Sequence, residues 1–273
     1  MEKKNIQDSS IDVMKLLGKI LSYWYFILAT VIIALTIAFL VNRYTIPLYE
    51  VRSTVMISEP VKEGASAAAI LYGDDLFRGS KNLSNETLVL KTADLALETL
   101  KRLDFGVSYF QEGNVKLTEV YGGLSPILVK VDSASSNIPH GVMFKVDFSD
   151  TNTYKLSSEN LYWNSLVKDK AFDAGKKYDI QGFVFVLETR YEDVTQTPNQ
   201  LLFKVNNLDA LAGHYAGSLE VSPYSPGTSA LTLKLTGTTP AKDIDFLNAH
   251  MQTYREHNLA VKNTNAINTL NFI

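Results

Sequence analysis

Cysteine is absent from all 273 residues. That removes disulfide frameworks, thiolate metal sites and cysteine nucleophiles together. The phosphate loop G-x-x-x-x-G-K-[ST], the dinucleotide pattern G-x-G-x-x-G, the nucleophile elbow G-x-S-x-G and the zinc pattern H-E-x-x-H are missing too. Histidine is sparse, and His140, His214, His250 and His257 are scattered. His250 and His257 lie seven positions apart on one helical pattern. That spacing is about 10 Å along the axis, too far to share a metal ion, so solvent or a helix contact is their expected setting. Basic charge is not in excess, since the net charge is −3, and nucleic acid is not an expected partner. Asp74 with Asp75 reads as loop solubility, and Asp243 with Asp245 as charge complementing a helix start. With every usual constellation missing, the chain is expected to be non-catalytic and to carry no cofactor or metal.

Charge and helix breakers are also missing from residues 23–41, YWYFILATVIIALTIAFLV. About twenty apolar residues match a hydrocarbon core of roughly 30 Å, so a transmembrane helix is expected over 23–42. Tyr23, Trp24 and Tyr25 at one end and Tyr44 at the other suit the headgroup level and mark the two membrane interfaces. The run exceeds a signal-peptide core, and Asn42, Arg43 and Tyr44 offer no small-residue cleavage site. Lys3, Lys4, Lys15 and Lys19 precede the span, whereas Arg43 and Arg52 are the nearest basic residues after it. This places the amino terminus inside and the bulk of the chain outside the cytoplasmic membrane.

In residues 1–22, Ile11, Met14, Leu17 and Leu21 fall at helical spacing, as an interfacial helix behind a polar tail would. Beyond the span, Pro47 is a stiff entry to an alternating strand of Tyr49, Val51, Ser53, Val55 and Ile57, which Pro60 ends. Residues 61–82 read as a surface loop. The sequons at Asn82 and Asn85 carry weight only in a eukaryotic secretory pathway, against which a cysteine-free ectodomain of this size argues. Ser84 opens an expected helix to about Leu103, with Val89, Ala93, Ala96, Leu97, Leu100 and Leu103 facing a core and Gly106 as its stop. From 107 to 206 a series of short strands, VSYF, VKLTEV, PILVKVD, VMFKVDF, TYKLS, YDIQGFVFVLET and LLFKV, predicts a β-rich insert. A helix over 208–217 and strands at 219–221 and 229–236 return the chain to the first domain. Thr239 caps and Pro240 starts a helix that is still running at Ile273, so the chain is expected to be part of a longer protein. Along it Ile244, Leu247, Met251, Tyr254, Asn258 and Val261 follow the alternation of a seam against another helix, with Asn258 as a register-fixing polar residue. An ordinary amphipathic helix laid on the sheet fits the same pattern, and both readings stand open.

The span followed by P-L-Y-E-V, the stretch NETLVLKTADLALETL and the segment TTPAKDIDFLNAHMQTYREHNLAVKN, with Asn248 and Tyr254, together resemble the polysaccharide co-polymerase or chain-length determinant (Wzz-type) family. The longer members, fused to bacterial exopolysaccharide tyrosine autokinases, are the most similar. The resemblance covers roughly 11–104 and 219–273; residues 107–205 match nothing in it. It implies an α+β membrane protein: a membrane-proximal α/β base from 43–106 and 207–239, the β-rich insert of 107–206, and a long protruding helix starting at 240–273. It also implies a homo-oligomeric ring in the bacterial cytoplasmic membrane that works with a membrane polysaccharide polymerase and its glycan to set the length of capsular or exopolysaccharide. A kinase domain, if present, would follow Ile273. An extracytoplasmic sensor of a membrane signalling protein is the alternative from another class, and an anchored glycan-modifying enzyme, which needs a carboxylate pair in a cleft, is a third.

Overall fold

The computed structural model describes Gly18 and residues 22–57, 83–113, 116–132, 134–150, 152–190, 200–226 and 228–272. Apart from Gly18 and Ser22, the expected interfacial helix lies outside the described residues, as do the loop of 61–82 and the sequon residue Asn82. The chain divides into two units, 1–46 and 47–273.

The first unit contains α1 (Trp24–Tyr44), a helix of 21 residues with none buried. At about 1.5 Å per residue it is roughly 32 Å long, so it is long and apolar enough to cross a membrane. The hydroxyls of Thr30 and Thr36 donate to the carbonyls of Ile27 and Ile32 in the preceding turn, so neither needs water.

The second unit is a mixed α+β body with two hydrophobic cores. The first core lies under a three-stranded antiparallel sheet of β1 (Tyr49–Met56), β11 (Glu220–Pro223) and β12 (Ala230–Gly237), in the order β1-β12-β11. Alternation along β12 buries Leu231, Leu233 and Leu235, and Val51 and Val55 of β1 share that face. Four helices supply the other side: α2 (83–90), α3 (Ala93–Leu100), α5 (Leu208–Ser218) and α6 (Pro240–Phe272). The single helix expected from Ser84 to Leu103 is broken at Lys91 and Thr92. Thr92 is extended, with φ −75° and ψ 141°, and its side chain accepts from the Leu95 N–H, capping α3. The break turns the stripe, so Leu90, Leu95, Ala96, Thr99 and Leu100 are buried while Ala93 faces out.

The second core is a sandwich. One sheet has six antiparallel strands, β2 (Val107–Glu112), β3 (Leu117–Val120), β5 (Met143–Phe148), β6 (Thr153–Ser158), β7 (Ala171–Asp173) and β10 (Gln200–Val205), in the order β3-β2-β10-β5-β6-β7. The other has three, β4 (Ile127–Val131), β8 (Lys177–Ile180) and β9 (Phe183–Thr189), in the order β4-β9-β8. Aromatic rings fill the space between them, with Phe144 stacked on Phe203 at 5.3 Å and on Phe183 at 6.1 Å. A short helix, α4 (Leu161–Val167), seats Trp163 edge-on against Phe144 and Phe183. The expected strand YDIQGFVFVLET is a hairpin instead. Gln181 and Gly182 have φ of 54° and 86°, the two-residue turn that matches strand twist.

Candidate functional site

The start of α6 is where the two cores are tied together. Thr239 stands before Pro240, and its carbonyl accepts the Asp243 N–H. One turn in, Lys242 points across to β2 and β3, which belong to the sandwich. Its Nζ donates to Glu119 Oε1 at 2.5 Å and to Ser108 Oγ at 3.2 Å, and lies 5.2 Å from the centre of the Phe105 ring. The other Glu119 oxygen accepts from the Thr239 hydroxyl at 3.1 Å. Asn206, at the exit of β10, donates to the same Ser108 Oγ at 2.9 Å and to the Phe105 carbonyl at 2.8 Å. Tyr121 donates to Asp245 at 2.7 Å on the adjoining turn, and burial together with that bond pushes its phenol up. The side chains of Lys242 and Glu119 are only 10% and 17% exposed, so this pair acts in a low dielectric where each ion depends on the other.

Asp243 is the strained member of the group. It is 6% exposed, and its Oδ2 has no hydrogen-bond partner among the described residues. Desolvation raises its carboxyl above the ordinary range. The oxygen sits against Gly237, where a Cβ would come within 2.2 Å of it, so any side chain there would displace the carboxyl group.

Further along α6, Phe246, Leu247, His250, Thr253 and Tyr254 form the stripe that covers the first core. His250 is completely buried and stacks on Phe246 at 5.1 Å. Its Nε2 lies 2.9 Å from the Leu90 carbonyl, which can only accept, so Nε2 carries the proton. Nδ1 lies 2.9 Å from the Thr99 hydroxyl, whose single proton is shared between that nitrogen and the Leu95 carbonyl 2.7 Å away. Burial holds the ring's proton affinity below the usual histidine range, which keeps it neutral.

Two clefts flank the Lys242–Glu119 pair. One, of about 840 Å³, runs between the cores and is lined by Arg102, Asp104, Tyr109, Tyr121, His140 and Arg190 among others. The other, of about 420 Å³, lies beside Asp243, His214 and Phe110. Both volumes suit a small molecule or a short oligomer. No group of three or more metal-ligating side chains occurs among the described residues.

No family model matches this chain. No curated protein matches it either. Among solved structures, two crystal forms of Xanthomonas campestris FlgL share 12% and 10% sequence identity with it. They cover 62% and 60% of this chain and 52% and 51% of FlgL, with TM-scores of 0.26 and 0.27. The matched region thus spans about half of FlgL, and similarity at that level does not define a shared fold.

The seam residues read from the sequence are separated by the fold. Leu247 and Tyr254 belong to the chain's own core, and Met251 packs at its edge. The Tyr254 hydroxyl donates to Glu86 at 2.6 Å and accepts from Asn258 at 3.2 Å. Ile244 and Val261 are exposed, at 44% and 45%. Up to Tyr254, therefore, α6 is an amphipathic helix lying on its own domain, and its stripe centres on Phe246 and His250 rather than on the Ile244–Val261 line. Tyr23, Trp24, Tyr25 and Tyr44 are all exposed at the ends of α1. Two buried polar residues of α6 itself, His250 and Lys242, lie outside the site residues that the sequence pattern picks out. For His250 the spacing from Phe246 and Leu247 was the available signal; for Lys242 the partner Glu119 lies 123 residues away and no local pattern points to it.

Proposed function

We propose that the chain is the anchored, non-catalytic, extracytoplasmic part of a polysaccharide co-polymerase in a bacterial cytoplasmic membrane. In this reading α1 is a retained span with the amino terminus inside, and the three-stranded sheet with its helices is the base beside the bilayer. The body works as a homo-oligomer with a membrane polymerase and its glycan to regulate chain length. The observation that carries this is the course of α6. It is packed on the base through Tyr254 and then continues as a helix to Phe272, with Leu259, Val261 and Ile267 exposed, as a protrusion that meets other copies would. A chain that acts by shape and contact needs no reactive group, and the buried ions at the start of α6 serve cohesion.

Topology and mass test the reading together. In intact cells, a cysteine at the exposed Ala171 is expected to react with a membrane-impermeant thiol reagent and one at Ser9 to be shielded. The solubilised protein is expected to run as a multimer. Labelling at Ser9 with protection at Ala171 would overturn the proposal.

A further inference from the structure

The base sheet has two unlike edges. β11 is four residues long and ends in Pro223, a poor template for another strand. β1 is eight residues long and pairs only with β12 among the described residues. The Ile57 N–H donates to the Ser229 carbonyl at 2.7 Å, and the register continuing from it directs the backbone groups of odd-numbered β1 residues toward β12. Those of Glu50, Arg52, Thr54 and Met56 point the other way, with no backbone partner among the described residues. Such a row is a template for an added strand.

The side chains select the strand that fits. Arg52 stands directly across from Lys234, a like charge. Glu50 serves both, at 2.5 Å from Arg52 and 3.1 Å from Lys234. The edge thus offers one acid and one base, two positions apart on one face. A strand with the same two charges in reverse order places acid against base at both positions. β1 itself, turned antiparallel, is such a strand. We propose that β1 of one chain pairs antiparallel with β1 of a second copy about a twofold axis through Val51. Glu50 then faces Arg52 of the second copy, Arg52 faces its Glu50, and Tyr49 faces its Ser53. Even positions meet even positions, so the outward backbone groups of Glu50 and Arg52 in the two copies complete each other, while Thr54 and Met56 fall opposite Leu48 and Ile46, before the second copy's strand begins. The two sheets merge into one of six strands, and the isologous contact closes as a dimer.

Because the chain lacks cysteine, a single introduced thiol reports this geometry without ambiguity. Val51 would form a non-hydrogen-bonded pair with Cα atoms about 4.5 Å apart, within the disulfide range of about 4.4–6.8 Å. Two Ser53 residues would be about 14 Å apart. In the full chain in detergent or nanodiscs, Val51→Cys is expected to oxidise to a covalent dimer and Ser53→Cys to remain uncrosslinked. Glu50→Arg is expected to weaken dimerisation about tenfold by setting like charges opposite each other, and adding Arg52→Glu to restore it. Glu50 and Arg52 are surface residues, so the charge exchange keeps its force even if Val51→Cys disturbs packing. A folded protein that stays monomeric, equal crosslinking at Ser53, or a dimer indifferent to both charge changes would overturn the pairing. The proposal stands apart from the co-polymerase reading: a Val51-linked dimer in cells whose polysaccharide is unaltered by loss of the protein would keep the first and remove the second.

Discussion

His250 shows how much one side chain can set. It is neutral in the fold and titrates near 6.5 once unfolded, so below about 6.5 the unfolded chain takes up a proton that the folded chain refuses. Its contribution is complete above that pH and is lost as pH falls toward the depressed folded value, by up to about 1.4 kcal/mol per pH unit. Asp243 acts in the opposite direction, because its raised carboxyl lets the folded state bind a proton first between that value and about 3.9. Urea unfolding of the detergent-solubilised chain at pH 7.5 and 5.5 is therefore expected to show a loss of stability on acidification that is smaller in His250→Gln. Equal losses in both proteins would show that the buried ring does not govern the response. At Tyr254, removal of the hydroxyl in Tyr254→Phe is expected to cost about 1 kcal/mol, since Glu86 and Asn258 lose their shared partner. Tyr254→Asp buries a charge and so perturbs folding before it can report on assembly.

Among the elements, α6 is the one that sequence periodicity described incompletely. Its start was legible because Thr239, Pro240 and the two aspartates are local signals. Its packed face was not, because Lys242, Asp243, His250 and Thr253 are polar residues buried by partners distant in sequence, and a count of apolar positions skips them. The strands from 107 to 205 were readable for the opposite reason, since alternation is local and buried faces are filled by Phe, Val and Leu. Among the features in that region that escaped are α4, whose Trp163 and Val167 are too few to show a helical period, β7, only three residues long, and the turn at Gln181 and Gly182. The junction itself is testable. Lys242→Met leaves Glu119 buried without its counter-ion and is expected to cost about 3–5 kcal/mol. Lys242→Met with Glu119→Leu is expected to recover much of that loss, because an apolar pair of similar volume replaces the ions. Equal destabilisation by the single and double variants, read from urea midpoints, would mean that packing around Phe105 carries the junction. On the exposed side of the helix, Ile244→Asp and Val261→Asp are expected to change stability by no more than about 0.5 kcal/mol. Under the protruding-helix reading, Val261→Asp lowers the mass of the solubilised multimer; an unchanged mass would place the contacts between copies elsewhere.

At the scale of the molecule, an apolar helix of 21 residues precedes a mixed α+β body in which a small sheet with four helices is joined to an antiparallel sandwich of a six-stranded and a three-stranded sheet filled with aromatic rings. The apolar run announced the first element unaided, because nineteen uncharged residues leave few alternatives. The pairing of the sandwich sheets was not legible, since strand order depends on contacts such as β2 with β10 that span most of the insert. Co-polymerase action makes a demand that neither fold nor composition can meet alone, namely a change in polymer length without a change in polymer chemistry. Gel filtration of surface polysaccharide from cells with and without the gene for this chain measures it most directly. Regulation of chain length predicts a shifted size distribution with the same repeat-unit composition, restored when the gene is returned; an unchanged distribution, or an altered repeat unit, would contradict it.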